Sequence, residues 1–328
     1  MALPGPENPL ALPFDQYQRY RLAADIIEKI QGDGSPMAVL EVGGWPPRLH
    51  LFLPDNEIKT VDRVDGEAPG YQKADALDLP FKHNEFDAVI SLDVLEHIAP
   101  DDRPRFLSEL CRVSKAVVVL AAPFYSDMVR AADLAVHEFV KSRTGVEQKF
   151  LREHVETDLP AIDETVKSLE NLGRSVKTLE SGRIDRWMLL MTIYYTLDSD
   201  PDQRESLPKV MEAYNRAFYE MDKAGPSYRH FMVGVTEDRK DALDKVATLS
   251  GSSPEAGDGE VAAALELVRS SAIKVKDERM NALTEELVRK EEELTDLKEH
   301  VSKLEDFVGK VKSLPGYSLY EKILKPVK

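Results

Sequence analysis

Short β-rich runs alternate with amphipathic stretches between residues 15 and 247, and this alternation constrains the fold more than any other feature of the sequence. Strands are predicted at 37–43, 57–64, 86–95 and 115–123. Between the last two runs, Phe106, Leu110 and Val113 fall on one face of a predicted helix that Pro104 opens. Strands that alternate with helices predict a mostly parallel sheet with right-handed crossovers.

The second half of this region continues the pattern. It is predicted to contain a helix at 162–173, a strand at 175–181, helices at 184–198 and 204–222, and a final strand at 228–235. The fold class predicted from residues 15–247 is therefore α/β, with helices on both faces of one sheet.

The residues at the ends of the strands are the candidates for ligand binding, because open parallel sheets bind ligands beyond the carboxyl ends of their strands. The first strand ends in Glu41-Val42-Gly43-Gly44, and Asp62 ends the second strand 21 residues after Glu41. That spacing suits a carboxylate that accepts hydrogen bonds from both ribose hydroxyls. Asp75, beside Ala76, could accept a hydrogen bond from an adenine amino group.

This series of motifs resembles the class I S-adenosylmethionine (SAM)-dependent methyltransferases, in particular the methyltransferase type 11-like domain. The resemblance rests on VLEVGG at 39–44, on Asp62, and on ADALDLPF followed by FDAVISLDVLEHI. It implies a Rossmann-like sheet of seven strands with the last strand antiparallel, and SAM as the cofactor. The residues it implies for cofactor binding are Glu41, Gly43, Gly44, Asp62, Asp75, Ala76 and Asp93, of which Gly43 lets the backbone approach the cofactor and Glu41 orients its amino-acid end.

The glycine-rich loop departs from the family pattern. The family carries further glycines two and four residues after the first, where this chain has Trp45 and Pro47 in GGWPPR. Trp45 could crowd the methionine end of the pocket, which leaves open a second reading: a non-catalytic scaffold that keeps the fold. The loop also argues against NAD, because it has no G-x-G-x-x-G to bring a helix N-terminus onto a pyrophosphate.

Candidate catalytic residues follow from the chemistry of methyl transfer. A hydroxyl acceptor needs a base, and the candidates are His97, Asp93 and His154, the last of which follows Glu153 in FLREHVETDLP. The seven histidines show no metal-ligand spacing along the sequence, so no metal site is predicted.

The chain is predicted to divide into an N-terminal arm at 1–14, the methyltransferase domain at 15–247, a linker at 248–260 and a helical extension at 261–311. From Met280 to Val311, apolar residues occupy nine of ten seam positions of a heptad repeat, and Lys290 is the exception. This fidelity predicts a coiled coil, most simply a parallel homodimer, although packing against the globular part is an alternative.

The last segment, 312–328, combines four lysines with tyrosines and aliphatic residues, which is typical of a weak contact with an anionic membrane. The net charge of −16 argues against nucleic acid as a partner. The single Cys111 and the lack of a membrane span predict a cytoplasmic protein, peripheral at the inner membrane face. The architecture resembles bacterial cell-surface glycan methyltransferases, which implies O-methylation of a sugar or glycan precursor; a small soluble metabolite is the other candidate acceptor.

Overall fold

A computed structural model describes residues 8–32, 34–145, 147–156, 158–251 and 258–313. The chain divides into two compact units, Met1–Ile273 and Lys274–Lys328. The boundary between them falls later than the predicted domain boundary, inside the long C-terminal helix.

The first unit contains one seven-stranded sheet. Its strands are β1 (Ala38–Val42), β2 (Glu57–Asp62), β3 (Tyr71–Lys73), β4 (Phe86–Leu92), β5 (Ser114–Pro123), β6 (Ser175–Arg183) and β7 (Ser227–Val235). Their order across the sheet is β3-β2-β1-β4-β5-β7-β6. The sheet reverses its order between β1 and β4, where an open α/β sheet places its ligand crevice.

The last strand runs against its neighbours. Pairs from β3 to β5 are parallel, whereas β7 is antiparallel to both β5 and β6. In the β5–β7 pair, Pro123 lies opposite Arg229 and Val117 lies opposite Val235. The first residues of β7 therefore lie at the same edge of the sheet as the last residues of the parallel strands.

Helices cover both faces of the sheet. They are α1 (Phe14–Gln31), α2 (Arg103–Val113), α3 (Asp127–Thr144), α4 (Lys149–Glu156), α5 (Ile162–Asn171), α6 (Ile184–Asp198), α7 (Pro201–Arg204), α8 (Leu207–Phe218) and α9 (Ala242–Ala247). Side chains alternate between faces along a strand, so Val39 packs on the α1 side and Leu40 packs on the α2 side.

A third apolar cluster joins α3, α4 and α6 and includes Trp187, Met188 and Tyr228. Because Tyr228 belongs to the first residues of β7, this cluster adjoins the edge of the sheet at which the parallel strands end. The N-terminal arm is anchored nearby, since Asn215 Nδ2 donates hydrogen bonds to the backbone oxygens of Leu10 and Leu12.

The predicted fold class is confirmed, including the seven strands and the antiparallel last strand. Two details differ from the sequence prediction. The short edge strand β3 was not predicted as a strand, because three residues carry too little periodicity. The segment predicted as one helix at 204–222 contains the last residue of α7, then α8 and a short 3₁₀ turn at Glu220–Lys223, because Pro208 opens a new helix after Ser206.

The last helix, α10 (Asp258–Lys312), is continuous, and its residues from Lys274 onward belong to the second unit. Its seam residues Met280, Leu283, Leu287, Leu294, Leu297, Val301 and Leu304 are between 47% and 64% exposed. Val308 and Val311 of the predicted seam, and the tail beyond Ser313, lie outside the residues whose side chains are described. A search of the described residues finds no helix with the length and apolarity that crossing a membrane requires.

Candidate active site

A cavity of about 830 Å³ opens at the carboxyl ends of β1, β2 and β4. Its other walls come from α1, α4, α6 and the first residues of β7. The volume falls within the range of roughly 300–1,000 Å³ that is typical of small-molecule sites. The cavity therefore occupies the position at which the strand-end residues predicted a ligand.

The loop after β1 needs its two glycines for different reasons. Gly43 has a φ of +82°, and a Cβ there would overlap the side chain of Val94. A Cβ on Gly44 would overlap the carboxylate of Glu41. Gly43 lines the cavity. Both positions of the loop are therefore restricted to glycine by the side chains that pack against them.

Glu41 lies beneath this loop and not in the cavity wall. Its side chain is 2% exposed, and one carboxylate oxygen accepts a hydrogen bond of 2.9 Å from Thr60 Oγ1. Burial raises the pKa of Glu41 to about 7.

Asp62 and Trp45 form the wall on the β2 side. The Asp62 carboxylate accepts hydrogen bonds from the backbone N–H groups of Trp45 (3.1 Å) and Val64 (3.2 Å). The Trp45 ring packs against Tyr71, with 4.4 Å between ring centroids, in space that a Cβ on Gly66 would fill. The ring of Trp45 is thus turned toward β3, away from the end of the cavity near Asp93.

Asp75 and Ala76 also line the cavity, next to Asp62. The Asp75 carboxylate accepts a hydrogen bond of 3.0 Å from the backbone N–H of Leu77, which fixes the turn after β3. The residues predicted to bind the nucleoside part of the cofactor are therefore brought together on one side of the cavity.

Asp93 is held by two arginines. Arg229 of β7 donates to both carboxylate oxygens, at 2.6 and 2.5 Å, and Arg19 of α1 donates at 2.5 Å. Burial opposes ionisation, but the ion pairs with Arg229 and Arg19 hold the pKa of Asp93 well below its usual range. This environment makes Asp93 a weak base, and suits it to position α1 and β7 around the cavity. Its predicted contact with the cofactor stays a prediction.

The two predicted histidines meet on the opposite side of the cavity. His97 follows β4, His154 lies on α4, and their ring centroids are 5.3 Å apart. His97 Nδ1 is 3.0 Å from Glu153 Oε2, and its Nε2 is 4.0 Å from Glu96 Oε1. The Glu96 carboxylate is buried, and neither oxygen has a hydrogen-bond partner among the described residues. Its burial raises the pKa of Glu96 to about 8.

His154 is oriented by a network on its other ring nitrogen. Its Nδ1 lies 3.2 Å from the Tyr228 hydroxyl and 3.5 Å from Asp133 Oδ2, and that hydroxyl donates to Asp133 Oδ1 at 2.7 Å. Because Tyr228 donates to Asp133, its oxygen is free to accept from Nδ1–H. This tautomer leaves the lone pair on Nε2, which has no partner among the described residues. Burial lowers the pKa of His154, but Asp133 outweighs it and the net pKa is raised.

The sequence analysis missed Arg19, Arg229, Tyr228 and Asp133. Two of these residues carry a signal that can be read from the sequence, since an antiparallel last strand brings its first residues, Tyr228 and Arg229, to the ligand edge. Arg19 and Asp133 lie on helices without a distinguishing motif, and only the packing of α1 and α3 brings them to the site.

Residues 51–121 match a methyltransferase domain. This match covers less than a quarter of the chain and supports the predicted methyltransferase class in its coarse form, with SAM as the cofactor. A search of curated proteins found no match.

Several solved structures are similar in fold. One is a SAM-dependent methyltransferase of Thermotoga maritima, described as a possible histamine N-methyltransferase, with 13% identity, a TM-score of 0.39, and coverage of 67% of this chain and 91% of the other. Another is the magnesium protoporphyrin IX methyltransferase of Synechocystis with bound SAM, with 13% identity, a TM-score of 0.39, and coverage of 68% and 79%. A third is the 1,6-didemethyltoxoflavin N1-methyltransferase of Burkholderia thailandensis, with 13% identity, a TM-score of 0.39, and coverage of 66% and 77%.

The burial of Glu41 predicts a pH-dependent contribution to stability. Between pH 4.5, the ordinary pKa of a glutamate side chain, and the folded-state pKa of about 7, the folded chain binds more protons than the unfolded chain. Stability is therefore lost as the pH rises through this range. Glu41→Gln removes the titration, so the free energy of unfolding of the wild type is expected to fall by about 2 kcal/mol relative to the variant between about pH 5.5 and about pH 8. Urea unfolding at both pH values measures the difference, and a constant difference would contradict the assignment.

Proposed function

We propose that this chain is a SAM-dependent methyltransferase that transfers a methyl group to a hydroxyl of a sugar or glycan precursor near the inner membrane face. The observation that carries the proposal is one cavity with two chemically different sides. Gly43 and Asp62 line one side, and His97 and His154 line the other.

The first side fits the cofactor. Gly43 provides a cradle that a Cβ would fill, and Asp62 offers carboxylate oxygens to ribose hydroxyls. Arg19 lines the cavity and pairs with Asp93 through its guanidinium. It places a positive charge beside the cavity, which suits a carboxylate such as that of the methionine moiety. When bound, SAM supplies a methyl group on a sulfonium, which leaves as a neutral thioether.

The second side fits a hydroxyl acceptor. The acceptor oxygen gives up its proton as it attacks the methyl carbon, so a group that accepts the proton lowers the barrier. The Asp133–Tyr228 network keeps Nδ1 of His154 protonated and leaves Nε2 as the acceptor. His154 is the first candidate for the base, and His97, beside Glu153, is the second.

Aromatic side chains support a sugar as the acceptor. Trp187, Tyr194 and Tyr195 of α6 line the cavity together with Asp15 and Asp198. Aromatic rings offer apolar faces to a sugar ring, and carboxylates accept hydrogen bonds from its hydroxyls. This combination favours a hydroxyl-rich acceptor over a purely apolar metabolite.

The alternative of a non-catalytic scaffold rested on Trp45 and Pro47. The Trp45 ring packs on Tyr71, and Gly43 and Asp93 both still line the cavity. The position of Trp45 thus favours the enzyme over the scaffold.

Titration with SAM tests the proposed cofactor site. Asp62→Asn removes the charge at nearly constant shape, and loss of a charge-assisted hydrogen bond worth about 1.5–3 kcal/mol is expected to weaken SAM binding roughly 10- to 100-fold. Asp65→Asn, in the exposed loop that follows, is the matched control and is expected to bind as the wild type does. Calorimetry with SAM and S-adenosylhomocysteine measures both variants. No binding by folded wild-type protein would refute the proposal.

The proposed acceptor and membrane location share one test. Transfer of a labelled methyl group is expected with lipid-linked sugars in anionic vesicles. Deletion of residues 314–328 is expected to reduce this transfer severalfold while leaving transfer to soluble nucleotide sugars unchanged, since the basic tail acts only at the membrane surface. Equal loss on both acceptors, or transfer to neither, would contradict the sugar and membrane parts of the proposal.

We further propose that α10 pairs with the same helix of a second copy in a parallel coiled coil. Its exposed seam from Met280 to Leu304 is a narrow apolar stripe, which an isolated helix would leave in water. Lys290, the one polar seam residue, forms an ion pair of 3.0 Å with Glu293 on its own helix.

Substitutions at two neighbouring positions of α10 test whether the heptad seam holds the dimer together. Leu287 lies on the seam and is 64% exposed, whereas Val288 lies beside it and is 50% exposed. Leu287→Lys is expected to weaken a dimer about 100-fold or more, because one leucine per chain, worth about 1.5–3 kcal/mol, loses its burial. Val288→Lys is expected to leave the dimer intact. Sedimentation equilibrium distinguishes them, and a monomeric wild type would contradict the dimer.

A further inference from the structure

Glu96, His97 and His154 form a cluster that the sequence spacing does not reveal. One ligating atom from each of them can be chosen so that all three lie within 4.8 Å of one another. His154 lies 57 residues after His97 and reaches it only because α4 packs beside the turn that follows β4. We infer that this cluster binds a divalent transition-metal cation at the acceptor side of the cavity.

The buried carboxylate is the first observation behind this inference. Glu96 is 2% exposed, and both of its oxygens lack a hydrogen-bond partner among the described residues. Burying a carboxylate without a partner is costly, and buried charges in proteins are normally paired or coordinate metals. A cation between Glu96 and the two imidazoles would supply the missing partner.

The orientation of both imidazoles is the second observation. His97 directs Nδ1 toward Glu153 and Nε2 toward Glu96, while His154 directs Nδ1 toward Tyr228 and Asp133. Histidines that bind metals usually present one nitrogen to the ion and the other to a carboxylate or a similar group. His154 has such an outer partner in Tyr228, and the Glu153 carboxylate lies 3.0 Å from Nδ1 of His97, so Nε2 of each imidazole is left for the ion.

The donor set indicates the class of cation. Two imidazole nitrogens and one carboxylate suit Zn²⁺, Co²⁺ or Fe²⁺, whereas Mg²⁺ and Ca²⁺ prefer sites made of oxygen ligands. Three protein ligands also leave at least one coordination position open. Ligands at about 2.0–2.2 Å from an ion lie roughly 3–4 Å apart, so the side chains need to close by about 1 Å.

This inference rests on the proposed function and refines its acceptor side. An acceptor hydroxyl at the open position would become more acidic, as water does on a bound cation. The hydroxyl proton then leaves to water, the oxygen electron pair forms the bond to the methyl carbon, and the pair of the broken carbon–sulfur bond stays on sulfur. Nε2 of His154 would bind the ion and would no longer be the proton acceptor.

Cobalt titration of the full-length chain, freed of metal with a chelator, tests the site. One Co²⁺ per chain is expected to bind, with visible absorption bands of a low-symmetry site, and Zn²⁺ is expected to displace it. Glu96→Gln is expected to weaken binding about 100-fold, and His154→Ala at least as much. His83→Ala removes an exposed histidine outside the cavity and is the control for nonspecific imidazole binding.

Melting temperatures show whether a variant that fails to bind metal is still folded. Glu96→Gln replaces a buried carboxyl group that has no hydrogen-bond partner among the described residues by an amide of nearly the same shape, so its melting temperature without metal is expected to equal or exceed that of the wild type. Zn²⁺ is expected to raise the melting temperature of the wild type but not of this variant, and Mg²⁺ to raise neither.

The outcomes separate the two proposals. Unchanged Co²⁺ affinity in Glu96→Gln, or no Co²⁺ binding by a wild-type chain that binds SAM, would overturn the metal site and leave the methyltransferase standing. Failure to bind SAM by a folded chain would overturn the proposed function whatever the cobalt result.

Discussion

The ion pairs of Asp93 join three parts of the first unit that are far apart along the chain. Asp93 follows β4 in the centre of the sheet, Arg19 comes from α1 and Arg229 comes from β7. Arg229 and Asp93 are nearly closed off from water, so removing Asp93 would leave the buried charge of Arg229 without compensation, a change that typically costs about 3–5 kcal/mol. The cavity walls made by α1 and β7 depend on this contact, as does the placement of Arg19 beside the cofactor side.

Two chemically different groups of residues line the cavity at one edge of the sheet: those proposed to bind the cofactor and those proposed to bind the acceptor. On one side, the cavity is lined by the backbone at Gly43 and by Asp62, whose carboxylate accepts hydrogen bonds from backbone N–H groups. On the other side, His97, His154 and Glu96 are held within an aromatic and helical cluster. The sequence between β5 and β7 builds most of that second side, and it does so with helices whose positions relative to the sheet follow from packing alone.

Much of this arrangement could be predicted from the sequence, and the parts that could not have a physical explanation. Strands such as β4 and β5 are buried on both faces and appear as continuous apolar runs, so the end of β4 and Asp93 beyond it could be located. Asp62 could be located by its spacing of 21 residues from Glu41. The orientation of Trp45 could not, because it depends on Tyr71 and on the space above Gly66. The contact between His97 and His154 could not be predicted either, because it depends on the packing of α4 and no local sequence spacing indicates it. The split of the 204–222 helix follows from Pro208, a local signal that the apolar periodicity of the segment masks.

The antiparallel direction of β7 has a consequence for how the protein is made. Arg229 is 136 residues after Asp93 in the sequence. Because a ribosome adds roughly 5–20 residues per second, Arg229 is synthesised roughly 7–30 s after Asp93. By the end of that interval the emerging chain contains Gly43, Asp62 and both histidines, but not yet the strand that closes their pocket. Ligand binding therefore begins only after more than two thirds of the polypeptide has been synthesised, and a prematurely terminated product that lacks β7 would retain most of the site residues without a site.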